Sequence, residues 1–184
     1  VMRSISNNIR RATLDIDLDF IKYSLSDKSI NEFIQKLNST DVVFIKIIGP
    51  IEELKQQDYH GKRVNIEISD KNKTTLKTKI DFGVHKQLDI EQEEFCFDIG
   101  MDNDGVCLLI NSKEQMITEK LRSILKFGSF STRYKDIFDI CYLLDYIVPA
   151  KLILCFEYYI YNDIDMKENN IADIIKRLNK IFND

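Results

Sequence analysis

The sequence has few of the residues that build zinc sites. It contains two histidines and four cysteines, without a Cys-x-x-Cys pair, so we do not expect a structural zinc ion. The cysteines, Cys96, Cys107, Cys141 and Cys155, are widely spaced and lie in apolar contexts. We therefore expect them to be buried free thiols in a cytoplasmic protein.

Long apolar runs are also absent. The longest run, residues 147–153, is interrupted by Pro149 and Lys151 and is much shorter than the roughly 20 residues that cross a bilayer. We expect no membrane-spanning helix. The net charge of −4 argues against binding to nucleic acid through bulk positive charge, although a local basic groove is compatible with it.

The apolar pattern changes along the chain. Alternation with a period of two predicts strands in the first part, and helical spacing predicts helices in the second. The predicted strands are residues 14–18, 41–48, 64–68, 74–82 and 106–110. A first helix is predicted with Asp27 or Ser29 as its N-cap. Further helices are predicted at about 113–127, 132–146 and 170–182, and another begins at Pro149. Strands followed by helices indicate an α+β fold, with a sheet core in residues 1–111 and a helical domain in residues 112–184.

Acidic residues alternate with aliphatic ones on the first predicted strand. Asp15 and Asp17 share one face, about 7 Å apart along the strand, while Leu14, Ile16 and Leu18 face the other way. Two carboxylates this close repel each other unless a cation offsets the repulsion, and their hard oxygens suit Mg²⁺. The alternative interpretation is an exposed strand whose polar face happens to be acidic.

A third acid favours the metal interpretation. Asp81 lies at the end of a strongly apolar predicted strand, and the basic pair Arg10-Arg11 lies upstream of the first acids. A third carboxylate on a neighbouring strand is what a phosphoryl-transfer site with bound metal requires. We therefore predict that Asp15, Asp17 and Asp81 are metal ligands.

A second charged group lies on the predicted helices. Asp136 and Asp139 are three residues apart and share a helix face, as do Arg133 and Asp136. Lys120 lies near the middle of the preceding helix. By spacing alone, a solvated charged face with ion pairs inside the helix is the favoured interpretation.

Together these segments resemble the AbiEii/AbiGii-type toxins, minimal nucleotidyltransferases of bacterial toxin–antitoxin and phage-defence systems. That family has an Arg-x-Ser/Thr-x-Asp-Ile/Leu-Asp-Leu strand, a strand ending in Ile-Asp, a Glu-Lys-Leu helix and an Arg-x-Lys/Arg-Asp helix. The matching segments are residues 11–18 (RATLDIDL), 80–83 (IDFG), 119–121 (EKL) and 133–140 (RYKDIFDI). They occur in the family's order, and the match extends to about residue 144.

The resemblance implies a polymerase-β-like core and a role for each matched residue. The metal ligands would be Asp15, Asp17 and Asp81, with Asp81 helping to activate the acceptor hydroxyl. Lys120 would contact the triphosphate, and Arg133 and Asp136 would line the pocket. Asp139 would orient Lys120 or Arg133, while Arg11 and Thr13 would contribute to nucleotide binding.

The resemblance also implies a reaction: transfer of a nucleoside monophosphate from an NTP, with Mg²⁺, to a hydroxyl of an RNA such as a tRNA 3′ end, or of a protein. An antitoxin would be the partner, and the oligomeric state is left open. Two alternatives are a catalytically inactive nucleotide- or partner-binding module on the same fold, and an antibiotic-type enzyme that modifies small molecules.

A family Gly-Gly/Ser turn normally grips the triphosphate through its backbone N–H groups. It lies just before the segment that matches Val1-Met2, and the sequence does not contain it. Either upstream residues supply this turn or the chain is a degenerate relative of the family, and we expect weak or no catalysis from the polypeptide without the turn.

Overall fold

The fold was taken from a computed structural model of the chain. The structure describes residues 1–6, 15–38, 43–56, 59–84, 90–98, 105–128 and 134–183. The chain divides into two compact units. We call residues 10–86 the sheet unit, and residues 1–9 together with 87–184 the helical unit.

The first element is a single helical turn, α1 (Met2–Ile5), which belongs to the helical unit. The sheet unit follows with one helix, α2 (Asp27–Leu37), and the strands β1 (Asp15–Phe20), β2 (Val43–Ile47), β3 (Glu52–Gln56), β4 (Tyr59–Asp70) and β5 (Thr75–Val84). The strand order is β1-β5-β4-β2, with β3 also paired to β4. β1 is parallel to β5 and the other pairs are antiparallel, so the sheet is mixed.

One face of this sheet packs against α2. The residues buried there alternate along the strands or follow the helical repeat, as the apolar pattern predicts. They are Phe20, Ile30, Ile34, Val64, Ile66, Ile80 and Phe82. Phe82 and Ile30 are completely buried, and each contributes about 1.5–3 kcal/mol of hydrophobic stabilisation. The opposite face of the strands is left for polar side chains.

The beginning of α2 differs by one residue from the prediction. Ser26 is the N-cap, and its hydroxyl accepts a hydrogen bond from the backbone N–H of Ser29 at 3.1 Å. Asp27, one of the two predicted caps, instead lies in the first turn, where a carboxylate interacts favourably with the helix dipole.

The helical unit contains a hairpin and four longer helices. The hairpin pairs β6 (Glu93–Phe97) with β7 (Val106–Ile110) in antiparallel register. The helices are α3 (Lys113–Phe127), α4 (Tyr134–Leu143), α5 (Pro149–Phe156) and α6 (Ile171–Asn183). Ser112 caps α3 through its hydroxyl, and Gly128, with φ of 60°, ends it. The core of the unit is formed by Leu121, Leu125, Phe156, Ile160 and Ile174.

Along the chain, the sheet unit ends at residue 86 and the helical unit resumes at residue 87. By packing, β6 and β7 therefore belong with the helices, whereas the sequence analysis grouped them with the sheet core up to residue 111. The prediction used strand periodicity, which does not reveal what a hairpin packs against. The division at residue 111 stays a prediction about domains.

The expectation that all cysteines are free buried thiols is wrong. Cys96 and Cys107 lie directly opposite each other on β6 and β7 and form a disulfide, with their Cα atoms 3.9 Å apart. Cys141 is free and exposed, and only Cys155 is free and buried. Burial raises the pKa of the Cys155 thiol to about 11. The disulfide depends on strand register, which the spacing of the cysteines did not reveal.

None of the described helices combines the length and the apolar character needed to span a membrane.

Candidate functional site

The pairing of β1 with β5 brings two of the predicted acids together. The strands are parallel, and Asp17 lies directly opposite Asp81. Directly paired residues on neighbouring strands point to the same face, about 4.8 Å apart. Ile80 and Phe82, on either side of Asp81, point into the core. Burial of these neighbours fixes the register, and the register places both carboxylates on the polar face.

A third charged residue continues this row across the sheet. Arg63 on β4 lies directly opposite Asp81. It donates from Nε to Asp81 Oδ1 and from Nη2 to Asp81 Oδ2, both at 2.7 Å. The side chain of Arg63 is 31% exposed and that of Asp81 is 15% exposed. This two-bond geometry is the strong form of an arginine–carboxylate pair and holds the carboxylate in one orientation.

We call Arg63, Asp81 and Asp17 the acidic row. It holds one cation and two carboxylates, so one negative charge exceeds the positive charge. At the strand spacing of about 5 Å, two carboxylates repel each other by about 1–3 kcal/mol, depending on solvent screening. Asp17, unlike Asp81, is exposed. The row brings two carboxylates together on one sheet face, where a bound cation would reduce their mutual repulsion.

The donor atoms of the row fit a hard divalent cation. Carboxylate oxygens are what Mg²⁺ prefers, and Mg²⁺ uses one or two protein carboxylates together with phosphate oxygens and water. Asp81 has both oxygens bonded to Arg63, but a carboxylate has about four lone-pair positions. Acceptor capacity therefore remains on Asp81 beside Asp17.

The third predicted ligand, Asp15, lies on β1 opposite Lys79, and its side chain lies outside the described residues. Among the side chains that the structure describes, no three His, Cys, Asp or Glu residues form a group that could hold a metal ion. The predicted three-carboxylate site is thus described for two of its members. It stays a prediction as a whole.

The helical unit brings together a second group of predicted residues. Lys120 Nζ on α3 lies 3.0 Å from Asp136 Oδ1 and 2.9 Å from Asp139 Oδ2, both on α4. The side chain of Asp139 is completely buried, and those of Asp136 and Lys120 are 13% and 21% exposed. We call these three residues the lysine cluster. Since a buried carboxylate is costly without a partner, Lys120 is needed to compensate Asp139.

This cluster overturns two sequence interpretations of α4. The alternative of a solvated charged face is wrong for Asp136 and Asp139, because both pair with Lys120 on another helix and Asp139 is buried. The intrahelical neighbour Arg133 lies outside the described residues. Cys141, which was expected to be buried, and Leu144 are exposed, whereas Leu143 is completely buried. Ile140 packs against the core of the helical unit. The inward face of α4 therefore carries Asp139 and Leu143, with Asp136 and Ile140 beside them.

The sequence matches the model of a known family. The model of the family described as nucleotidyl transferase AbiEii toxin, type IV toxin–antitoxin system, matches residues 1–182. The chain belongs to the AbiEii family. No curated protein matches the chain. The AbiEii motif residues Asp17 and Asp81 lie in the sheet unit, and Lys120, Asp136 and Asp139 lie in the helical unit.

Three AbiEii motif residues, Arg11, Thr13 and Arg133, lie outside the described residues. Conversely, sequence analysis missed Arg63, which no matched motif contains. The signal was present in the hairpin that joins β4 and β5. The polar turn after Asp70 sets the register of that hairpin, and pairing backwards from the turn places Arg63 opposite Asp81.

Proposed function

We propose that the protein is a Mg²⁺-dependent nucleotidyltransferase that transfers a nucleoside monophosphate from an NTP to a hydroxyl group. The observation that carries the proposal is the register of Asp17 opposite Asp81, in a chain of the AbiEii family of nucleotidyl transferases. Such enzymes generally use a divalent metal. Beyond family membership, we propose the identity of the metal, its ligands, the nucleotide donor and the class of acceptor.

In the proposed site, Asp15, Asp17 and Asp81 would hold the cation. When bound, it would neutralise phosphate charge and orient the triphosphate for in-line attack. Arg63 would keep Asp81 oriented through its two hydrogen bonds. Arg11 and Thr13, just upstream of β1, would contribute to nucleotide binding.

The proposed reaction forms one bond and breaks one. The acceptor hydroxyl oxygen attacks the α-phosphorus, the bond from that phosphorus to the α,β-bridging oxygen breaks, and pyrophosphate leaves. Asp81, whose carboxylate has lone-pair positions beyond the two bonds from Arg63, would accept the hydroxyl proton. Positioning and charge neutralisation would supply most of the rate enhancement.

Lys120 is the proposed contact to triphosphate oxygens from the helical side. Its ammonium has three N–H donors, and the pairs with Asp136 and Asp139 use two of them. Asp139, fully buried, would orient Lys120, and Arg133 and Asp136 would line the pocket. The third donor of Lys120 is then available for a phosphate oxygen.

The acceptor proposed is an RNA hydroxyl, such as the 3′ end of a tRNA, or a protein hydroxyl. Because the family belongs to type IV toxin–antitoxin systems, we also propose an antitoxin partner and a cytoplasmic location. Modification of an abundant RNA would explain toxicity without requiring a strongly basic protein, since recognition of an RNA end needs only a local contact surface.

The test is incubation of the protein with each α-labelled NTP, Mg²⁺ and total RNA or protein. The wild type is expected to label one acceptor class. Asp81→Asn and Asp17→Asn should each lose about 1000-fold in rate, or about 4 kcal/mol of transition-state stabilisation. Glu67→Gln is the matched control, because Glu67 lies on the same sheet face, two rows away, where it pairs with Lys77 at 3.8 Å.

Label on neither RNA nor protein with any of the four nucleotides would count against transfer. Wild-type rates for both aspartate variants would remove Asp17 and Asp81 from the site. Equal losses in Glu67→Gln would show a general effect of charge on the sheet face.

One observation favours a second candidate, a non-catalytic nucleotide-binding module. Both Asp81 oxygens already accept hydrogen bonds from Arg63, so the pair is compensated without a metal. Calorimetry separates the two candidates. The binding module predicts NTP binding that is insensitive to EDTA and gives no pyrophosphate, whereas the transferase predicts binding that requires the metal.

A further inference from the structure

We infer that Arg63 is a positioning residue that acts as an internal counter-cation for the acidic row, so that a divalent cation must share Asp81 with it. The inference rests on the proposed function, because it concerns the same carboxylates. No matched family motif contains Arg63, and the evidence for its role is the row itself. β4, β5 and β1 place Arg63, Asp81 and Asp17 side by side.

The geometry of the Arg63–Asp81 pair fixes the orientation of the carboxylate. Two hydrogen bonds of 2.7 Å join the guanidinium to both oxygens of Asp81. The side chain of Asp81 is 15% exposed, so water screens this pair only in part. An arginine with two bonds to a carboxylate fixes its plane as well as its position. Asp81 is thus oriented before any cation binds.

The positive charge of Arg63 affects both the repulsion between the two carboxylates and the binding of a metal ion. A guanidinium stays protonated at every pH at which the protein is folded, so Arg63 offsets the repulsion between Asp81 and Asp17 permanently. The same positive charge opposes a second cation that approaches these carboxylates. Arg63 therefore stabilises the row without metal and weakens the binding of metal. This combination makes binding of the cation depend on the phosphates that arrive with it.

The change in metal affinity on removal of Arg63 distinguishes this role from that of an ordinary ion pair on the sheet face. If Arg63 only stabilised the sheet, removing it would leave metal affinity unchanged or lower it, because the ligands would become less ordered. If it competes for Asp81, removing it raises metal affinity. The sign of the change therefore distinguishes the two roles.

The experiment titrates the full chain with Mn²⁺ alone and follows free Mn²⁺ by electron paramagnetic resonance at pH 7.5. Arg63→Gln should bind Mn²⁺ about tenfold more tightly than the wild type, since one opposing charge is removed. Arg63→Lys keeps the charge but loses the two-bond geometry, and should bind about two- to threefold more tightly. If Arg63→Gln does not fold, Arg63→Lys carries the test by the same sign.

Two controls locate the effect. Lys77→Gln removes a cation from the same strand face, four residues from Asp81, where Lys77 is 72% exposed; it should change Mn²⁺ affinity less than twofold. Arg63→Gln combined with Asp81→Asn should bind no more tightly than Asp81→Asn alone. A gain that persists in the double variant would overturn the inference, because it would not act through Asp81.

The outcomes also separate this inference from the proposed function. If Asp81→Asn weakens Mn²⁺ binding but Arg63→Gln fails to strengthen it, the inference is overturned and the metal site stands. If Mn²⁺ binding is absent from both the wild type and Arg63→Gln, or is unchanged by Asp81→Asn and Asp17→Asn, the metal site of the proposed function fails, and the inference falls with it.

Discussion

The acidic row and the lysine cluster both place one cation among carboxylates, but they differ in burial and in how the cation is used. In the acidic row Arg63 gives two bonds to Asp81, and Asp17 beside them is exposed. In the lysine cluster Lys120 divides its bonds between Asp136 and the completely buried Asp139.

The difference in burial between the two groups determines what each can do. An exposed carboxylate beside a partly buried ion pair can accept a further cation from solvent at little desolvation cost. A completely buried carboxylate that pairs with a lysine loses an important part of its compensation when that lysine is removed, and the penalty is large. The acidic row is suited to bind an ion, and the lysine cluster is suited to hold a lysine in a fixed position.

The largest stability effect predicted from this comparison follows removal of Lys120. Lys120→Met leaves the buried Asp139 carboxylate without its cation, and we expect a loss of about 3 kcal/mol in the free energy of unfolding, measured by urea denaturation. Hydrogen exchange should localise the loss to peptides of α3 and α4.

A paired variant serves as the control for Lys120. Lys120→Met with Asp139→Leu removes the buried charge along with its partner and should recover most of the lost stability, because apolar replacements of buried ion pairs are often tolerated. A loss below about 1 kcal/mol in the single variant would contradict the buried, lysine-dependent state of Asp139.

A smaller effect is expected in the sheet unit. Arg63→Gln should lower the free energy of unfolding by about 1 kcal/mol, because Arg63 is 31% exposed and solvent compensates part of the lost pair. The increase in exchange should be confined to peptides of β4 and β5, and Arg63→Lys should restore about half of the loss. If Arg63→Gln costs as much as Lys120→Met, the contrast between the two groups is wrong.

Elements with strong periodicity could be predicted from the sequence. β1, β4, β5, α2, α3 and α6 all have apolar residues at the spacing of their final structure. β3 (EELKQ) and β6 were not predicted. β3 carries almost no apolar signal, and it is a strand because it pairs with the long strand β4, which is a non-local cause.

The candidate site could be predicted only in part, for a related reason. Residue types and motif order indicated Asp17, Asp81, Lys120, Asp136 and Asp139, and the structure groups them into two clusters. The sequence did not reveal Arg63, because its role depends on cross-strand register rather than on a local pattern. It also did not reveal that Asp139 is buried, since helical spacing describes which residues share a face and not what covers that face.

The most direct test of the central claim, that Asp17 and Asp81 share one divalent cation, is a double-mutant cycle on Mn²⁺ affinity. Asp17→Asn and Asp81→Asn should each weaken binding at least about tenfold, and the double variant should be less impaired than the sum of the two free-energy losses requires, because both act on one ion. Strictly additive losses, or a loss in only one of the variants, would contradict a shared site.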